Sequence, residues 1–201
     1  MNRLISLLCA AFLGVACGAG AAEMSPDAIV KDTADEVLSI IRSNKDKRIL
    51  RELAEKKVLP NFDFRAMTQL AVGRFWREAS PTQQKALEDS FRTLLVNTYT
   101  ASLNVAATGK ESVEVKPLEL KAGDKDVLVR TLVRTPSRQP IPVDYRMSRG
   151  SEGWKVYDVI VENLSLVTNY RSSFASEIQR SGIDGLIKAL EGKNRELAQA
   201  G

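Results

Sequence analysis

Apolar positions recur along this chain with two different periods, and the change of period divides it into three stretches. Residues 25–105 read as helical. Ser25-Pro26-Asp27 supplies a cap and a proline at a first helical position, where the missing N–H costs nothing. Behind it Ile29, Val30, Ala34, Val37, Leu38 and Ile41 recur at three- and four-residue spacing, the stripe of a one-sided helix. A second helix is predicted from Asp46, with Ile49, Leu50, Leu53, Ala54 and Val58 on one face, stopped by Pro60. Asp63 caps a short helix carrying Phe64, Met67 and Leu70 that ends at Gly73. Ser80-Pro81-Thr82-Gln83 has the spacing of a capping box and opens a long helix through Ala86, Leu87, Phe91, Leu94, Leu95, Thr98, Tyr99 and Leu103.

Between residues 111 and 162 the period falls to two. Four strands are predicted, at about 112–118, 126–134, 141–148 and 153–161. Val127, Val129, Thr131 and Val133 alternate with Leu128, Arg130, Leu132 and Arg134; Ile141, Val143, Tyr145 and Met147 alternate with Pro142, Asp144, Arg146 and Ser148. Such alternation belongs to antiparallel strands with one apolar and one wet face. The joints are Gly123-Asp124, Pro136 to Pro140, and a hairpin at Gly150-Ser151-Glu152-Gly153. From 164 to 198 the helical period returns. Leu166, Val167, Tyr170, Phe174 and Ile178 share a face, Gly182 breaks it, and Ile183, Leu186, Ile187 and Leu190 form a last helix. Helices, then sheet, then helices make an α+β fold, with helices packed on one face of a four-stranded antiparallel curved sheet.

The N-terminus follows neither period. Met1-Asn2-Arg3 is a short basic start, Leu4 to Ala22 carries no charge, and Gly18-Ala19-Gly20-Ala21-Ala22 is a small-residue exit. Residues 1–22 are therefore expected to be a cleaved signal peptide, leaving residues 23–201 as a single exported domain. A lipoprotein at Cys17 is disfavoured, because Leu13 stands one place too early for a lipobox. Both cysteines, Cys9 and Cys17, fall in the leader, so the mature chain is expected to fold on core burial without a disulfide.

Composition narrows the chemistry. The 201 residues include no histidine, which excludes Ser-His-Asp and Cys-His machinery and any imidazole metal site. The net charge of +4 is spread out, with no basic run, and does not indicate nucleic acid. Thr108-Gly109-Lys110-Glu111-Ser112 is not a phosphate loop: Asn104 replaces the first glycine, Glu111 separates Lys110 from Ser112, and no strand precedes it. The remaining acid–base groups are carboxylates. Asp144 shares a face with Arg146, as a solvated pair would. Asp158 alternates with Val156 and Ile160 and could point inward, so a small isomerase- or hydrolase-like enzyme using Asp158 is one alternative. A non-catalytic envelope adaptor is another.

Six phrases carry a more specific signal. They are Val58-Leu59-Pro60-Asn61-Phe62-Asp63-Phe64-Arg65-Ala66-Met67, Ala71-Val72-Gly73-Arg74-Phe75-Trp76-Arg77, Leu95-Val96-Asn97-Thr98-Tyr99, Trp154 to Glu162, Leu164 to Phe174, and Gly185-Leu186-Ile187. In this order and spacing they resemble the MlaC, or toluene-tolerance, family over essentially the whole mature chain. The chain departs from the family's wording at Asn61 and Phe75, where histidine is common in other members.

The resemblance implies a periplasmic carrier rather than an enzyme, with no cofactor. Its cargo would be a diacyl phospholipid, held with both tails in a deep hydrophobic cavity between sheet and helices. The implied partners are the inner-membrane ABC transporter of the same lipid-asymmetry pathway and an outer-membrane lipoprotein with its porin, each visited by a monomer. Candidate lining residues are Val129, Val133, Val143, Tyr145 and Met147 on the sheet, and Met67, Leu70, Phe75, Leu94, Leu95, Val167, Tyr170 and Phe174 on the helical segments. Arg74, Arg77 and Arg171 are candidates for contact with the head-group phosphate.

Overall fold

A computed structural model of the chain describes residues 24–43, 46–106, 110–136 and 138–200. The proposed leader, residues 1–22, and Thr108-Gly109 lie outside the described residues, as does the side chain of Leu103.

Helix α1 spans Pro26–Ser43 and buries Val30 and Ile40, while Ile29, Val37, Leu38 and Ile41 are half-buried. Helix α2 is short, Lys47–Leu53, capped by Asp46, whose carboxylate accepts from the Arg48 N–H. A π-helical segment, Ala54–Val58, and a 3-10 turn, Leu59–Asn61, follow. The expected single stripe holds only in part: Leu50 is buried but its neighbour Ile49 is exposed, and Leu53, Ala54 and Val58 are half-buried.

Helix α3, Phe64–Val72, starts at the Asp63 cap and ends at Gly73, whose φ of 63° is open to glycine and strained for other residues. After a 3-10 turn, Gly73–Arg77, helix α4 runs Pro81–Ala106. Its capping box is formed in both directions. The Gln83 N–H donates to Ser80 Oγ at 3.2 Å, and the Ser80 N–H donates to Gln83 Oε1 at 3.0 Å.

Among the described residues the sheet has five strands in the order β1-β2-β3-β4-β5, all antiparallel: β1 Ser112–Val115, β2 Asp126–Thr135, β3 Arg138–Gly150, β4 Gly153–Val161 and β5 Leu164–Ser165. Four match expectation. The fifth is two residues long, too short to show a period. Strand β3 begins at Arg138, inside the stretch read as a joint. Beyond Val143 it has only β2 beside it, apart from a Glu162 N–H donated to the Pro142 carbonyl, so Pro140 removes no donor from a two-sided ladder. Helix α5, Arg171–Ala200, is broken at Gly182 (φ 74°, ψ −179°), which confirms the reading of two helical pieces.

Two hydrophobic clusters result. One is helical: Met67, Val72, Phe75, Leu87, Phe91, Leu94, Val167, Phe174 and their neighbours on α3, α4 and α5. The other lies between α1 and the sheet around Val30, Val129, Met147, Trp154 and Val156. They meet at Phe62, which bridges to Val156, and the Asp63 N–H donates to the Val156 carbonyl at 2.8 Å.

Candidate functional site

Register places the apolar strand residues in four cross-strand rows on the face turned toward α1. From one end they are Val127–Met147–Val156, Val129–Tyr145–Val159, Val115–Thr131–Val143–Val161 and Val113–Val133–Ile141. Keeping all of them on one face requires a bulge. Arg146 pairs with Asp158 and Met147 with Val156, so Tyr157 is the extra residue and the inside–outside parity of β4 flips there.

The flip relocates Asp158. Uninterrupted alternation would put it beside Val156; instead it lies on the opposite face with Ile160. There its carboxylate is fully buried, accepting from Ser165 Oγ at 2.7 Å and from the Val167 N–H at 3.3 Å. Ser165 Oγ in turn accepts from the Thr168 N–H at 2.9 Å. Both carboxylate oxygens are engaged in holding the β4–β5 turn, which passes through left-handed Glu162 and Asn163. This is the geometry of a structural anchor.

Coverage of the apolar face is uneven. At the end where α1 begins, Val129, Met147, Trp154 and Val156 are buried under Val30. Toward the other end Tyr145, Val159, Val143, Val161, Val113, Val133 and Ile141 are only half-buried. Helix α1 runs the same way. Its C-terminal part, tied to the start of β1 by Arg42 donating to the Glu111 carbonyl at 2.8 Å, carries half-buried Val37, Leu38 and Ile41. The sheet face is thus more fully covered where α1 begins, although Val127 there is half-buried, and less covered toward the other end, although Thr131 there is buried.

The thirteen candidate lining residues separate accordingly. Met67, Phe75, Leu94, Leu95, Val167 and Phe174 are buried within the helical cluster, and Leu70 and Tyr170 pack against it. Phe91 holds that cluster edge-on, with its ring 5.2 Å from both Tyr170 and Phe174. Val129 and Met147 belong to the more fully covered end, each without accessible surface. Val133, Val143 and Tyr145 border the incompletely covered end. Sequence reasoning did not name Val113, Val115, Val159 or Val161 on this face. The first two were legible in the alternation of Ser112-Val113-Glu114-Val115, and the last two were hidden by the bulge.

Two surface depressions can be placed among the described residues. One, of about 280 Å³, lies between Met24, the Leu120–Asp124 turn and Trp154; the other, of about 190 Å³, lies around Arg51 and Arg92. Both are smaller than the roughly 300–1,000 Å³ usual for small-molecule sites, and neither touches any of the thirteen residues. Arg74 stacks on the Phe75 ring, 4.8 Å from its centroid, and Arg171 lays its guanidinium over Gly73. Arg77 is exposed on the same 3-10 turn. Among the described residues no cluster of Cys, Asp or Glu could hold a metal ion, and no helix is long and apolar enough to cross a membrane.

A family model described as MlaC protein matches residues 31–192. The chain belongs to the MlaC family. Among relatives of this MlaC chain is the intermembrane phospholipid transport system binding protein MlaC of Haemophilus influenzae. It is 23% identical over 179 residues, covering 85% of this chain and 82% of that protein. A toluene tolerance protein of Pseudomonas putida is 25% identical over 185 residues, covering 89% of this chain and 84% of its own length. In structure this MlaC chain is similar to a phospholipid-binding protein of Ralstonia solanacearum solved in complex with a phospholipid. The TM-score is 0.78 at 35% identity, with 87% of this chain and 99% of that one covered.

Proposed function

We propose that this MlaC chain is a periplasmic carrier that shuttles one diacyl phospholipid at a time between outer- and inner-membrane complexes, helping to keep the outer membrane asymmetric. The observation that carries the reading is the apolar sheet face left half-covered between Val143 and Val133. It is backed by a structural neighbour with the same fold solved with a phospholipid bound. The physical need is plain. A phospholipid with two ordinary tails has roughly 28–30 methylenes, and at about 0.8 kcal/mol each their exposure to water costs on the order of 20 kcal/mol. A carrier replaces that loss with apolar wall and needs no nucleophile, metal or nucleotide, in keeping with a chain that has no histidine.

In this reading Val133, Val143 and Tyr145, with Val113, Val159 and Val161, line the tail site, and Asp158 has no catalytic part. The leader at 1–22 delivers the chain to the periplasm. The partners are the inner-membrane ABC transporter and the outer-membrane lipoprotein with its porin, and the carrier travels between them as a monomer. Native mass spectrometry and solvent extraction of the purified protein test the proposal. One co-purifying phospholipid per chain is expected, and a chain that emerges empty from a lipid-rich extract overturns it.

A further inference from the structure

The tail site proposed above is apolar except for hydroxyls, and those can be followed one by one. On the four paired rows, Thr131 is already committed: its Oγ1 donates to the Val143 carbonyl at 2.5 Å. Of the four tyrosines, Tyr157 donates to Asp126 at 2.7 Å, and Tyr99 and Tyr170 are hydrogen-bonded to each other. The Tyr145 hydroxyl has no hydrogen-bond partner among the described residues. Burial, with a smaller contribution from the Asp144 charge, pushes its phenol up to about 12, yet the residue keeps accessible surface. Register puts it in a row with Val129 and Val159, at the border between the covered and the incompletely covered parts of the apolar face.

The hydroxyl is within reach of water in the empty site, and tails that fill the space shut that water out, leaving the hydroxyl unmet unless the occupant itself supplies an acceptor. Hydrocarbon tails have none. The polar atoms of a diacyl phospholipid bonded directly to the tails, and so drawn furthest into an apolar site, are the two ester carbonyls. We propose that the Tyr145 hydroxyl donates a hydrogen bond to an acyl ester carbonyl of the bound lipid and thereby gives the site a preference for ester-linked over ether-linked phospholipids. An ether analogue keeps the tails and head group but lacks the carbonyl. This inference rests on the carrier reading.

The test is a competition. The purified full chain is stripped of lipid and incubated with vesicles holding equal amounts of a diester phosphatidylglycerol and its diether analogue with matching tails. Bound lipid is then weighed by native mass spectrometry. One hydrogen bond is worth about 1 kcal/mol, so the wild type should hold the diester roughly three- to tenfold over the diether. In Tyr145→Phe the ratio should fall to about one, with total occupancy retained. Equal loading of the two lipids in the wild type overturns the proposal, as does an ester preference that survives in Tyr145→Phe. Because the wild-type ratio needs no variant, the result does not depend on how Tyr145→Phe folds. If neither lipid binds the wild type, the carrier reading itself fails, and that outcome is distinct from binding without preference.

Discussion

Ser165 donates its hydroxyl to Asp158 across 2.7 Å, and this contact fixes the side chain that most invites a catalytic reading. With the Val167 N–H on the other oxygen, the carboxylate satisfies two donors that the β4–β5 turn leaves inside the protein. Asp158→Ala orphans both. We expect a loss of about 2 kcal/mol, or roughly 4–8 °C in Tm for a chain of this size, with lipid per chain unchanged well below the transition. Differential scanning calorimetry and lipid extraction on the same sample check this. Lost lipid at an unchanged Tm would show that Asp158 serves the site rather than the fold.

Residues four positions apart within one strand, and on the same face of it, should respond in opposite ways to the same substitution. Val143 borders the incompletely covered end of the apolar face, whereas Met147 has no accessible surface. Val143→Trp adds bulk where there is room, so Tm should hold or rise while co-purifying lipid falls at least about tenfold, equivalent to about 1.4 kcal/mol. Met147→Trp overpacks a filled region and should cost about 1–3 kcal/mol of stability. Equal lipid content in wild type and Val143→Trp would place the tails elsewhere.

The contrast also shows what the amino-acid order can and cannot convey. Helix starts at Asp46, Asp63 and Ser80 were readable because capping is local chemistry, and the Gly182 break because only a left-handed residue was needed there. The alternation of β2 and β3 named the correct face for Val129, Val133, Val143, Tyr145 and Met147. Their differing exposure was not readable, because it depends on how far α1 covers each row, a tertiary property without a period. For the same reason Leu94, Leu95 and Phe174, apolar at helical spacing, could not be assigned in advance to a packed core. Asp158 is buried, as its alternation suggested, but the bulge at Tyr157 hid which face it takes, since one unpaired residue reverses a strand's parity and leaves its composition untouched.

Acid should loosen the sheet edge first at β1. Glu114 is held down to about 2 by hydrogen bonds from Lys116 and Arg134, the latter at 2.7 Å, with both cations adding attraction. A carboxyl depressed in the folded state contributes stability that is fully present above its ordinary value of 4.5 and is lost as pH falls through about 2. The wild type should therefore lose Tm between pH 5 and 2 slightly faster than Glu114→Gln, and the two curves should converge at the acid end. The pair is exposed, so the gap should be small and should shrink further in about 1 M salt. A gap that widens toward acid would reverse the assigned sign.

Gly73 ends α3 at φ 63° and ψ −132°, and a Cβ there would stand 3.1 Å from Nε and 3.2 Å from a terminal nitrogen of Arg171. Two costs are thus possible in Gly73→Ala, and they can be separated. The guanidinium is the far end of a flexible side chain and can move aside. The backbone conformation cannot change without releasing the turn that delivers buried Phe75 and Trp76 to the core. Strain should dominate, so Gly73→Ala should lose about 1–3 kcal/mol, and the loss should persist almost in full when Arg171 is also replaced by alanine. A double-mutant cycle on chemical denaturation measures the coupling. If Arg171→Ala rescued most of the loss, crowding by the guanidinium rather than backbone strain would be the reason this position is glycine.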